Sequence, residues 1–200
     1  MSGIIGANLV AGRSSGQIAA VAAAGGGGAW NLIGTAVADD DASLTITGLD
    51  STYDTYAMSG SDLLPISDGV ALHMQFGDSS GIDSGSSDYD WHRANLNSDN
   101  TAYTAEDGAG NAFMNLIQDN GNNTGEGGGF MGYLYCPTDG TTKPAMSGTG
   151  SASENNTARY GLALFGGRRN GVIAIDRVLI KYGSGNIESG RFSVWGIAHA

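Results

Sequence analysis

Cysteine is almost absent. Cys136 is the single one in 200 residues, so no internal disulfide can form and no cysteine pair is offered to a metal. Its neighbours Tyr133, Leu134 and Tyr135 mark a strand end, where a partly buried thiol is expected rather than a nucleophile. Positive charge is scarce as well: 9 Lys and Arg stand against 20 Asp and Glu, a formal net charge of −11. Such a chain is repelled by phosphate backbones, which argues against a nucleic-acid partner. Only 14 % of residues are charged, so solubility rests on Ser, Thr, Asn and Gly. No run reaches the roughly 18 to 20 apolar residues of a membrane span, which argues against a membrane partner. The nearest candidate, 18–24, is short, alanine-rich and followed by four glycines. A secretory leader needs a basic start, and only Arg13 precedes that run, so the chain reads as untargeted.

Glycine, by contrast, is abundant at 34 residues, with only 3 prolines beside it. In helices each glycine would cost roughly 1 kcal/mol relative to alanine, so short strands and tight turns are favoured. The length suits one domain of ordinary size. The clearest strand is 70–76, where Val70, Leu72, Met74 and Phe76 share one face and His73 and Gln75 the other. That pattern predicts one packed side and one wet side. Ahead of it, 43–47 alternates, 53–58 starts a second run, and Leu63 to Gly69 puts Pro65 and an Asp-Gly turn between that run and 70–76.

Segment 1–28 differs from the rest: it has no aromatic, no carboxylate and one Arg. Ile4, Ile5, Leu9, Val10 and Ile18 are too many apolar residues for a plain linker, yet too few for a core, so the segment reads either as an arm that needs a partner or as a tail. Gly25 to Gly28 would be its hinge, and 29–200 the folded domain. A first strand is expected over 29–38, ended by Asp39 to Asp41. In 88–96, Tyr89, Trp91 and Arg93 oppose Asp90 and His92. Segment 97–110 is expected to be irregular, 112–118 a strand or one helical turn, 130–136 a strand and 147–156 a small-residue loop. Strands follow at 159–165, 172–182 and 191–197, the middle one covered on both faces. Eight to ten short strands without an amphipathic helix predict an all-β, jelly-roll-like antiparallel β-sandwich.

Four stretches, SGIIGANLVAGRSSGQI, SLTITGLDSTYDTYAMSGSDLLPISDGVALHMQFGD, SGSSDYDWH and IDRVLIKYGSGNIESGRFSVWGIA, together resemble a set of small tailed-bacteriophage and prophage β-sandwich virion proteins. These are head decorations, head fibres or tail-fibre-like modules. The resemblance covers most of the chain, except that 99–156 matches only in being glycine-rich and polar. It implies a non-enzymatic virion component, assembled in the host bacterial cytoplasm and bound to capsid or tail proteins. It carries no catalytic residue and no cofactor. The N-terminal arm, with Ile4, Ile5, Leu9, Val10, Arg13 and Ile18, would hold the protein to the particle. Sheet edges that need protection suggest a homo-oligomer, with a trimer expected.

Other chemistry competes on weaker patterns. Asp78, Asp83, Asp88 and Asp90, with Asp39 to Asp41, offer oxygens to calcium, but their spacing fits no EF-hand or nonapeptide repeat, so solvated turn carboxylates are expected. His73, His92 and His199 lie too far apart in sequence to suggest zinc. Carboxylate pairs for a glycosidase exist, as in any acidic chain, and none stands out. The main rival is a carbohydrate-binding module using Trp91, Tyr89 and His92, since Trp30 and Trp195 sit inside alternating strands and read as core.

Overall fold

The computed structural model describes residues 29–98, 103–135, 137–138, 140–153 and 160–198. Among these it contains thirteen strands and no helix. In chain order they are β1 (Trp30–Asp41), β2 (Leu44–Thr47), β3 (Thr55–Pro65), β4 (Val70–Asp78), β5 (Gly81–Ile82), β6 (Tyr89–Asn97), β7 (Tyr103–Asn111), β8 (Met114–Asn120), β9 (Gly127–Tyr135), β10 (Ala145–Ser153), β11 (Tyr160–Arg169), β12 (Arg177–Tyr182) and β13 (Ile187–Ile197). All their pairings are antiparallel, in two sheets that form a sandwich. The larger runs β1-β13-β3-β9-β10-β11-β6-β7; the smaller runs β2-β12-β4-β5, and β8 also pairs with β4. The all-β, jelly-roll-like sandwich expected from the short strands is what the chain adopts.

Between the sheets, Met58, Phe130, Leu134, Phe165, Phe192 and Val194 from the larger share one core with Leu72, Met74, Phe76, Met114, Val178 and Ile180 from the smaller. β4 presents Leu72, Met74 and Phe76 to this core, as its alternation predicts. Its other face is not wet, however. His73 and Gln75 are 7 % and 3 % exposed, because the turn between β7 and β8 folds over them. The His73 ring stacks on Phe113 at 3.7 Å, and the Gln75 amide donates to the Ala112 carbonyl at 2.8 Å.

That cover has a pH consequence. Burial, assisted by the Lys181 and Arg93 charges, lowers the His73 pKa to about 4 from 6.5. Above pH 6.5 the ring is neutral whether the chain is folded or unfolded. As pH falls from there to 4 the unfolded chain takes up a proton that the folded one refuses, so stability drops, by up to roughly 3 kcal/mol. Urea midpoints of the wild type and His73→Phe, compared at pH 7 and pH 4, should show a loss in the wild type that the variant largely escapes. Equal losses would mean that other groups carry the acid sensitivity.

Several boundaries differ from the sequence expectations. β1 runs through the Asp39 to Asp41 triplet, with Asp40 in the left-handed region at φ 60°. β3 continues through Leu63 and Pro65, aided by register shifts against β13 and β9. Segment 97–110, expected to be irregular, supplies the end of β6 and, from Tyr103, the edge strand β7, held by its ladder to β6. Segment 147–156, expected to be a loop, is β10 as far as Ser153, paired on both sides. Its glycines are there for close packing: a Cβ on Gly148 would lie 2.7 Å from the Phe165 ring, and one on Gly150 2.6 Å from Ile117 Cδ1. β12 is confined to Arg177–Tyr182. It is central between β2 and β4, but Val172 ahead of it is exposed. The predicted arm and its hinge, 1–28, lie outside the described residues, as do Cys136 and His199.

Candidate interaction surface

Directly opposed residues in an antiparallel ladder share a face, so the registers map the outer side of the eight-stranded sheet. In β11 the sequence YGLALF puts Tyr160, Leu162 and Leu164 outward and Gly161, Ala163 and Phe165 inward. Leu162 then sits opposite Leu96, and Leu164 opposite Ala94; across the next ladder Leu96 faces Tyr103. At the other edge Trp30, Leu32 and Val37 oppose Ile197, Trp195 and Arg191. Eleven large hydrophobic residues are exposed among the described residues. Nine of them (Trp30, Leu32, Val37, Leu96, Tyr103, Tyr135, Tyr160, Leu162 and Leu164) lie on this one face, and only Ile66 and Val172 lie elsewhere.

The face has three zones. An aromatic corner joins Trp30 to Trp195 at 6.1 Å and to Tyr133 edge-on at 6.3 Å. A middle strip carries small and hydroxyl side chains, Ser59 on β3 and Ser147, Thr149 and Ser151 on β10, with the Tyr135 hydroxyl 3.2 Å from that of Ser147. A leucine patch spans β11, β6 and β7. Charges on this face are few: Arg168 pairs with Asp90 at 2.9 Å, Asp107 stands mid-strand on β7 opposite His92, and Arg191 and Asp39 stand opposite Val37 and Ser189. Eight strands at about 4.8 Å spacing make the face roughly 34 Å across. That is wide enough for the roughly 800 Å² per partner of a stable protein interface.

The residues expected to touch a glycan are not brought together. Tyr89 is 0 % exposed; its hydroxyl donates to the Phe76 carbonyl and accepts from the Phe76 N–H at 2.8 Å, so it cannot stack on a sugar. Burial raises its pKa well above the usual phenol range. Trp91, on the same inner face, packs against the core with Arg93 5.7 Å from its ring, and its buried indole N–H has no partner among the described residues. His92 alone faces outward and is exposed. The tryptophans therefore exchange the positions expected of them. Trp30 is 41 % exposed and Trp195 is only partly buried, because β1 and β13 turn those parities away from the second sheet.

The acidic loop is also committed. Arg169 bonds Asp83 at 2.9 Å and Asp88 at 3.1 Å, tying the turn between β5 and β6 to the end of β11. Asp90 takes the Asn170 amide at 3.0 Å, the Gly110 N–H at 2.9 Å and Arg168, bonds that hold its pKa down at about 2. Asp78 bonds the Ser80 N–H and hydroxyl. Among the described residues no cluster of His, Cys, Asp and Glu has the arrangement of a metal site. The six attachment residues Ile4, Ile5, Leu9, Val10, Arg13 and Ile18 lie outside the described residues.

Reading the sequence missed the outer leucines. The alternation Tyr160, Leu162, Leu164 was the available signal, but Ala163 and Phe165 make the opposite parity apolar too. A scan against protein-family models finds no match for the chain, and a search of curated proteins finds none either.

Proposed function

We propose that this chain is a non-enzymatic structural component of a tailed-bacteriophage virion, a head decoration, head fibre or tail-fibre module built to pack against other proteins. The observation that carries this reading is the gathering, among the described residues, of nine of the eleven exposed large hydrophobic residues on one sheet face with few charges. A lone soluble domain rarely gathers so many large apolar side chains on one side, and a broad sheet face suits a protein partner better than a small molecule. The virion context comes from the sequence resemblance. Neighbouring copies, as a trimer, and capsid or tail proteins are the partners of this reading, with segment 1–28 as the attachment arm and the virion, assembled in the host cytoplasm, as its place.

Sedimentation of phage particles is the test. The protein should travel with them, in hundreds of copies as a decoration or in a few as a fibre, and deletion of 1–24 should release a folded sandwich from the particle fraction. A protein absent from purified particles would end the proposal. Unchanged copy number after the deletion would move the anchor into the sandwich.

A further inference from the structure

A second site lies on the opposite, inner side of the large sheet, where the sandwich opens between β6, β7 and β11 on one wall and β8 on the other. Inward positions of a sandwich normally carry apolar side chains. Here they carry Asn95 and Asn97 on β6 and Thr104 and Glu106 on β7, facing Gln118 and Asp119 on β8, around a cleft of about 150 Å³. The space exists because the neighbouring strands supply only small residues, such as Ala163, to fill it. Consecutive side chains of a strand point to opposite sides, yet Gln118 and Asp119 both line the cleft. Asp119 lies in the left-handed region at φ 54°, a local irregularity in the strand at this point.

The walls are held from beneath. Arg93, 1 % exposed, donates to Glu106 Oε2, to Gln118 Oε1 and, at 2.6 Å, to Asn115 Oδ1. That fixes two cleft side chains while leaving Glu106 Oε1 and the Gln118 amide nitrogen without protein partners among the described residues. Asn95, Asn97 and Thr104 likewise make no side-chain hydrogen bond there. Amides that donate and accept, a hydroxyl and a carboxylate acceptor, set beside the apolar surface of Ile117 and Ala163, match a ring with a hydroxylated rim and a C–H face. The volume is well below the roughly 300 to 1,000 Å³ of sites that take drug-sized molecules, and suits a single ring.

We propose that this cleft binds one neutral pyranose unit of a glycan. Asn95, Asn97, Gln118 and Glu106 take its hydroxyls, and Arg93 is a positioning residue. The inference goes beyond the structural role above and stands whether or not that role holds, because it is read in free protein.

The experiment is an NMR titration of the full chain with methyl α-glucopyranoside, methyl β-galactopyranoside and N-acetylglucosamine, with glycerol as a polyol control. Sugar is added to about 50 mM, above the roughly millimolar Kd that a few neutral hydrogen bonds sustain. At least one sugar should move the side-chain amide signals of Asn95, Asn97 and Gln118 saturably, with glycerol leaving them in place. The double variant Asn97→Ala, Thr104→Val should weaken that binding about tenfold or more. Both positions are at least partly exposed, so the fold should survive, and the wild-type titration stands without the variant. No saturable shift with any of the three sugars, shifts centred on the outer face, or a variant that binds equally well would each overturn the proposal.

Discussion

Replacing Arg93 with methionine should destabilise the protein by about 3 kcal/mol, the lower end of what removing one member of a buried ion pair costs. The guanidinium is almost wholly buried and reaches two elements at once: Glu106 on the edge strand β7, and Asn115 and Gln118 on β8 of the second sheet. Removing it strands two amide oxygens and one carboxylate. Glu106 is the least costly of these, since its side chain is 36 % exposed and water can reach it. Burial lowers the Arg93 pKa and Glu106 opposes that shift. Glu106→Gln alone should therefore also destabilise, by leaving a buried cation short of its counter-charge. The double variant Arg93→Met, Glu106→Gln should lose less than the sum of the singles. Urea unfolding measures all three, and a loss below about 1 kcal/mol for Arg93→Met would show that the guanidinium does not join the sheets.

The residues around Arg93 also show which parts of this fold can be read from sequence. Tyr89, Trp91 and Arg93 do share a face opposite Asp90 and His92, and Leu72, Met74 and Phe76 do enter the core. Period-two alternation gives parity reliably. It does not say which parity meets the second sheet when both are apolar, as in β11, or when the anchor is a tryptophan, as in β1 and β13. It is silent on most of β10, whose inward residues after Met146, namely Gly148, Gly150 and Ala152, bury almost nothing of their own and make room for Phe165 and Ile117. It is silent again on β7, most of whose side chains are exposed and whose strand state comes from pairing with β6. The wet face expected of β4 is dry because a turn some forty residues away supplies Phe113, a contact that no local pattern encodes. The cleft was illegible for a related reason: Asn95, Thr104 and Gln118 look like surface residues until three strands are seen to converge.

Introducing two charges by Leu162→Glu with Leu164→Glu should abolish the assembly proposed above while sparing the fold. The two side chains point away from the core and are 37 % and 50 % exposed, so each substitution should change the stability of the isolated sandwich by no more than about 0.5 kcal/mol. At an interface the arithmetic differs. Covering the exposed part of each leucine is worth roughly 1 kcal/mol, and burying an unpaired carboxylate in its place costs several more. A total of about 4 kcal/mol or more per contact is roughly a thousandfold in affinity, and a closed ring of copies meets that penalty at every junction. The control is a pair of charges on the two exposed apolar residues that lie elsewhere, Ile66→Glu and Val172→Glu, which add the same net charge without touching the face. Light scattering of the free protein and sedimentation with particles should separate the two variants, the face variant staying monomeric and unbound and the control behaving as wild type. If both assemble normally, the apolar face is not the contact surface. If both fail, added negative charge on a chain already at −11 is the cause, and the face is not singled out.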